Sequence, residues 1–289
     1  MAETFNPQMK LQDETFQIAN IPQYNLSIQI SLQSFCFSIL DKAQNKNIVF
    51  EKYNFRETSY NNTFCEQVES LINNHEYLKQ SFYSVIIIVD NPGSTLIPAG
   101  LFDETQKKDY FLFNNKLTED KIILSDKLHY LDVYNIYSLP EMLVDKLKQL
   151  FPSGRILHDT SSLIEELFVK NKNKDSGNTI YVNVQPAHFE VLIFQNNNLF
   201  FFNSFQYKTA EDFIYYILFV AEQMKRNPET LELVLLGEIE RPSAIFDLLF
   251  KYVRNIKFCN HNDTFTYSYV FNEMPDHFYY NLLNLNLCV

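Results

Sequence analysis

The residues of this 289-residue chain that could do chemistry are few, and each set is incomplete. Phosphodiester hydrolysis by two metal ions about 4 Å apart needs carboxylates on a first strand, on the first helix and at the end of a fourth strand. Glu66 and Glu69 fall on a helical stretch and Asp90 ends the apolar run SVIIIVD, but the first strand offers only Gln29. One corner is missing, and Asp90-Asn91-Pro92-Gly93 reads more simply as a turn that closes a buried strand. His188 and Glu190, two apart on a strand, share a face and could be half of a metal site. No second pair presents itself, and His75, His129, His158, His261 and His277 are dispersed. Nucleophilic hydrolysis finds no G-x-S-x-G turn, and PSGRILHD reads as a helix exit followed by a short strand. Cys36, Cys65, Cys259 and Cys288 form no CxxC pair and are expected as buried free thiols. The expectation is no catalytic residue, no metal and no cofactor.

The elements that would position these groups are written in the hydrophobic periodicity. Tyr24–Leu32 alternates, with Leu26, Ile28, Ile30 and Leu32 apolar, which is the period of a half-buried strand. Alternation resumes through Phe35, Phe37 and Ile39, and DKAQNKN turns the chain into Ile48–Tyr53. A helix is predicted over about Asn61–Lys79, followed by a strand buried on both faces, SVIIIVD. The same order returns from Ile180: strands at Ile180–Val184, Phe189–Phe194 and Leu199–Phe205, then a helix started by Thr209 and Asp212 in capping-box spacing. LELVLL is a buried strand, Pro242 opens a further helix through Val253, and NIKFC is a last strand. Laying Gln29 on Asn183 also lays Phe35 on Phe189, Phe37 on Val191 and Ile39 on Ile193, so the two halves imply a duplication. Between them, residues 91–169 read as a short strand and helix, a strand, an amphipathic helix started at Pro140, and a last helix. The polar stretch KNKNKDSGN, with its core at residues 171–178, reads as the linker.

Composition bounds the partners. A formal charge of −11, from 35 acidic against 24 basic residues without a basic stripe, disfavours nucleic acid and anionic membrane. The apolar runs fall far short of the roughly 20 residues that span a bilayer, and MAETFNPQMKLQDETF lacks an export signal, so a cytoplasmic protein without a membrane span is expected. The 27 Phe and 18 Tyr are mostly material for sheet packing, although NNLFFFNSFQY could expose a sticky strand.

Three antiparallel strands, helix, strand, helix, strand, given twice, resembles the ribonuclease-H-like motif as actin-like ATPases use it. Through TLIPAGLFDE, YNIYSLPEMLVDKLKQLF and MPDHFYYNLLNL the chain resembles a bacterial family of unknown function with this duplicated motif, and in strand order it is similar to the pilus-assembly and cell-division actin-like proteins. The resemblance implies an α/β fold with mixed sheets in two ribonuclease-H-like lobes, and a D-x-G phosphate loop on each hairpin. The chain departs from that loop at both copies. Gln29 and Ser31 stand at the Asp and Gly positions of the first, Asn183 and Gln185 at those of the second, where Pro186 also removes a donor. The adenosine-side Gly pair is reduced to Gly237 followed by Glu238, whose carboxylate disfavours an anionic nucleotide.

The domain expectation is an N-terminal arm, 1–23, a first lobe, 24–170, with an insert at 91–169, and a second lobe, 179–289, carrying a C-terminal strand and helix. The functional expectation is a non-catalytic binding or scaffold protein with a protein partner. An actin-like nucleotide binder, or a phosphotransfer or hydrolytic enzyme working in an interlobe cleft, is the alternative. The partner-docking candidate is the apolar stripe of Leu143, Leu147 and Leu150 on the Pro140 helix.

Overall fold

A computed structural model describes residues 5–55, 59–172 and 178–287. Strands β1 (Met9–Gln12), β2 (Tyr24–Ile30), β3 (Ser34–Asp41) and β4 (Lys46–Asn54) lead into helix α1 (Asn62–Asn74) and strand β5 (Ser84–Val89). Then come β6 (Ser94–Pro98), α2 (Lys107–Asn114), β7 (Lys121–Leu128), β8 (Val133–Pro140), α3 (Glu141–Leu150), β9 (Arg155–His158) and α4 (Asp159–Asn171). The second half runs β10 (Thr179–Val184), β11 (His188–Gln195), β12 (Asn198–Gln206), α5 (Ala210–Gln223), β13 (Glu232–Gly237), α6 (Ala244–Tyr252) and β14 (Asn255–Phe258). A tail adds β15 (Thr266–Tyr267) and α7 (Tyr280–Asn284).

These elements gather into two units: residues 1–166 with 263–272 and 281–289, and residues 167–262 with 273–280. In the first, the main sheet is ordered β1-β4-β3-β2-β5-β9, with β15 on β4, and β6-β8-β7 form a separate antiparallel sheet. In the second the order is β12-β11-β10-β13-β14. Strands β2 and β10 each lie between an antiparallel hairpin partner and a parallel neighbour, β5 or β13. That placement buries them on both faces and explains the unbroken apolar runs of β5 and β13. The duplication extends to detail: Gln29 faces Cys36 as Asn183 faces Glu190, and the ladder slips at Ile39/Leu40 as it does at Ile193/Phe194.

Local chemistry fixes the helix ends. Asn61 accepts from the Phe64 amide at 2.8 Å to start α1, and Thr209 and Asp212 close a full capping box on α5. Helix α1 stops at Asn74 rather than near Lys79, because His75 takes extended backbone and its Nδ1 accepts from the Tyr77 amide at 3.1 Å. Helix α6 is capped by Ser243, one residue past the expected Pro242 start. Several parts differ from expectation. The N-terminal arm supplies a sheet strand, β1, and the insert holds one more strand, β7, than its mixed pattern KIILSDKL signals. The tail is divided: 263–272 and 281–289 fall in the first unit, where β15 runs parallel to β4, so it is not a strand and helix of the second lobe alone. Of the linker, residues 173–177 lie outside the described residues.

The arm is held by charge as well as by ladder bonds. Glu51, in the middle of β4 and without exposed surface, takes Lys10 Nζ at 2.9 Å, His75 Nε2 at 2.9 Å and the Tyr53 hydroxyl at 2.5 Å. Because the Tyr77 amide occupies His75 Nδ1, the imidazole proton lies on Nε2 and points at Glu51. Burial pushes the Glu51 carboxyl up, but the bonds from His75, Tyr53 and Lys10 outweigh it and hold it below its ordinary value. Asp13 behaves alike: burial is outweighed by bonds from Lys46, Ser268 and Thr15, which hold it well below the carboxylate range. A depressed carboxyl contributes stability that is present above its ordinary value and is lost as pH falls toward its folded value. Glu51→Gln is therefore expected to cost about 2 kcal/mol at neutral pH, and to flatten the acid limb of the stability profile. Urea titrations of both proteins between neutral and acidic pH measure this.

Candidate functional site

The first hairpin loop follows β2. Gln29 is buried, and its Oε1 has no hydrogen-bond partner among the described residues. Ser31 closes the loop by itself: its amide donates to Ser34 O at 2.9 Å, and its Oγ accepts from the amides of Gln33 at 3.3 Å and Ser34 at 3.0 Å. A glycine there would leave those two amides pointing outward, as a phosphate cradle requires. The serine consumes them.

The second hairpin is closed by other means. Asn183 is buried and donates through Nδ2 to Glu190 Oε2 at 3.0 Å, across the β10–β11 pair. The Gln185 amide donates to His188 O at 2.9 Å, the Tyr207 hydroxyl donates to Gln185 O at 2.8 Å, and Pro186 has no amide to offer. At the end of β13, Gly237 adopts φ +86°, and a Cβ built there would lie 2.2 Å from Val184 O and 2.8 Å from Asn183 Oδ1. Only glycine fits so close to the neighbouring strand. Its amide donates to His277 O at 2.9 Å, and the Glu238 amide donates to Val184 O at 2.8 Å. His277 also holds Ile239 O at 2.7 Å through Nε2, so the tail segment 273–280 fills the turn. Sequence reasoning left His277 among the dispersed histidines because its partners, the Gly237 amide and the Ile239 carbonyl, are backbone groups that no side-chain pattern announces.

Beside this turn the second unit has a cavity of about 520 Å³. Phe258 forms one wall, with the His277 ring 4.2 Å away and the Arg241 guanidinium 5.7 Å from its centroid. Glu240 and Asp276 stand at the lining, and burial keeps His277 below its ordinary pKa. An apolar wall edged by carboxylates suits a planar neutral or cationic group and opposes a phosphate.

In the first unit a second buried polar cluster is centred on Asp126 of β7, which sequence reasoning did not single out. It accepts from Ser161 Oγ at 2.6 Å, the Tyr137 hydroxyl at 2.8 Å and the His158 amide at 2.9 Å. Burial pushes its carboxyl up against those bonds. His158 Nε2 meets Asn91 O at 2.8 Å. The cluster binds the insert sheet to β9 and α4 and is closed to solvent.

Other expected residues separate by burial. Leu143 and Leu147 have no exposed surface and belong to the first unit's core, with Leu150 packed against it. The docking stripe is thereby corrected: burial in its own unit takes its apolar side out of reach of any partner. Glu69 is ion-paired with Lys146 at 2.6 Å rather than held ready for a metal. Cys36, Cys65 and Cys259 are buried free thiols, and Cys288 lies outside the described residues. Among the described residues no helix is long and apolar enough to cross a membrane.

Two sheets of order 3-2-1-4-5, each with its hairpin and crossover helices, place the chain in the actin-like class of ribonuclease-H-like folds. Over residues 13–256 it matches the family described as protein of unknown function DUF3822, and it belongs to that family. A Bacteroides thetaiotaomicron protein with actin-like ATPase fold and unknown function is similar at a TM-score of 0.75 and 24% identity, over 85% of this chain and 94% of that one. The PilM–PilN type IV pilus biogenesis complex contains a chain similar at a TM-score of 0.57 and 9% identity, over 92% of this chain and 98% of that one. Both likenesses concern the fold alone. No curated protein matches the chain.

The contrast between two glycines tests the account of the turn. Gly237→Ala is expected to cost at least about 2 kcal/mol, from a strained φ and a clash with backbone. Gly100→Ala, which would meet nothing within 4 Å, is expected to leave stability unchanged. Thermal unfolding of the two variants measures the difference.

Proposed function

We propose that this chain is a non-catalytic actin-like protein that acts as a binding or scaffold module for a protein partner. One observation carries the reading: the amides at the three turns where the fold would cradle phosphate are already bonded within the chain. Ser31 Oγ takes two in the first hairpin, His188 O takes that of Gln185 in the second, and His277 O and Val184 O take those of Gly237 and Glu238. A phosphate would have to break these bonds and lie beside Glu238, where the cation nearby, Arg241, shares its cavity with the carboxylates of Glu240 and Asp276. A protein partner is the reading's second half, and the similarity in fold to PilM, seen in complex with PilN, supports it.

A thermal-shift series with ATP, ADP and GTP, with and without magnesium, tests the first half. A ligand at a hundredfold excess over its Kd adds about 2.7 kcal/mol, so the expected result is no shift, and phosphate release indistinguishable from buffer. A magnesium-dependent shift with ATP would overturn the proposal. The cavity beside Phe258 supports a second reading, a site for an uncharged planar ligand, and a shift with adenosine but not with ATP would favour it. The double variant Gln29→Asp with Asn183→Asp is expected to remain without ATP turnover, since Ser31, Gln185 and Pro186 still deny phosphate its approach. Single-turnover assays on the folded variant measure that.

A further inference from the structure

The two units treat the same sheet edge in opposite ways. In the first, the outer hairpin strand β4 is covered by β1: Met9 and Leu11 pair with Lys52 and Phe50, and the Asp13 amide donates to Ile48 O at 2.8 Å. Ile48 is the extra residue of the ladder slip, and it is buried. In the second unit the equivalent strand β12 ends its sheet, with no strand beyond it among the described residues. Its extra residue, Phe200, is 55% exposed.

The outward backbone can be assigned. The Tyr207 amide donates to Ala187 O, so by antiparallel alternation Phe205, Asn203 and Phe201 bond inward to β11. Phe202, Ser204 and Gln206 therefore direct their amides and carbonyls to the open side. The Ser204 amide takes Asn203 Oδ1 at 3.0 Å, a local bond that an incoming carbonyl can replace. Such an edge is a template for another strand, and proteins usually guard it with charge, proline or a short length. This one is nine residues long, NLFFFNSFQ, with none of those guards.

We propose that β12 pairs antiparallel with β12 of a second copy of this chain, making a two-fold dimer whose second units share one ten-stranded sheet. Two features select a second copy over a foreign segment. The chain carries a formal charge of −11, which opposes self-association over most of its surface, yet β12 contains no charged residue. Two copies therefore meet there without like charges opposed. In addition, α5 beside the edge exposes an aromatic pair, Tyr215 and Phe219, with rings stacked at 6.2 Å and joined through Tyr216 to Phe205 of β12 at 4.8 Å. Strands pair about 4.8 Å apart, so a two-fold axis at the edge brings the flanking helices of both copies side by side, and the rings are covered by the same symmetry that pairs the strands.

Sedimentation of the intact protein tests this. The expected mass is twice 34.2 kDa. Ser204→Pro, which removes an outward amide without touching the β11 ladder, and Phe200→Lys are each expected to halve it with circular dichroism unchanged. Amide hydrogen exchange on the unaltered protein gives a readout independent of variants: the Phe202 and Gln206 amides should slow as concentration rises through the dimerisation range. A monomer at every concentration, a dimer that persists in both folded variants, or edge amides indifferent to concentration would each overturn the proposal.

Discussion

Both units hang on a strand that has no free side. Strands β2 and β10 are bonded to an antiparallel neighbour on one edge and a parallel neighbour on the other, with apolar side chains against the sheet's core. Such a strand can neither slide nor turn over, because a shift of one residue exchanges its buried and opposite faces. The hairpin loop after each strand is therefore held at a fixed place on the sheet end whatever residues compose it. The same is true of the turn after β13, where Gly237 lies so near Val184 that no side chain is possible. Strand packing alone thus fixes the places of these three turns, which leaves their loop residues free to vary.

What closes the three turns differs from one to the next. A hydroxyl closes the first hairpin, a proline and a tyrosine the second, and a carbonyl from the distant tail the third. The Ser31 hydroxyl and the His188 and His277 carbonyls accept amides that would otherwise have needed water or ligand, while the Tyr207 hydroxyl donates to the Gln185 carbonyl.

The legible parts of the sequence were those ruled by local periodicity or capping: the two hairpins, the buried parallel strands, and the Thr209–Asp212 start of α5. Gln29 and Asn183 lie in the strands where alternation put them, whereas Ser31, read as part of the first strand, falls in the loop after Ile30, and Gln185 follows the end of β10 at Val184. What was not legible depends on distant chain. Strand β1 is four residues long and gains its ladder only from β4, and β7 carries Asp126 and Lys127 through a pattern that looks like loop. The Leu143 stripe was read correctly as amphipathic, but periodicity gives the direction of an apolar face without saying what covers it.

The ladder slip shared by β4 and β12 bears on how the two halves came to differ. Each slip adds one residue, Ile48 or Phe200, and so reverses which side chains face inward beyond it. To delete it from either copy would invert the end of that strand, so it works as a ratchet tooth: later change can pass over it in substitutions but not in length. Two halves that share so little in side chains still carry the tooth at the same notch, so the count of residues along the hairpin is held more tightly than their identity.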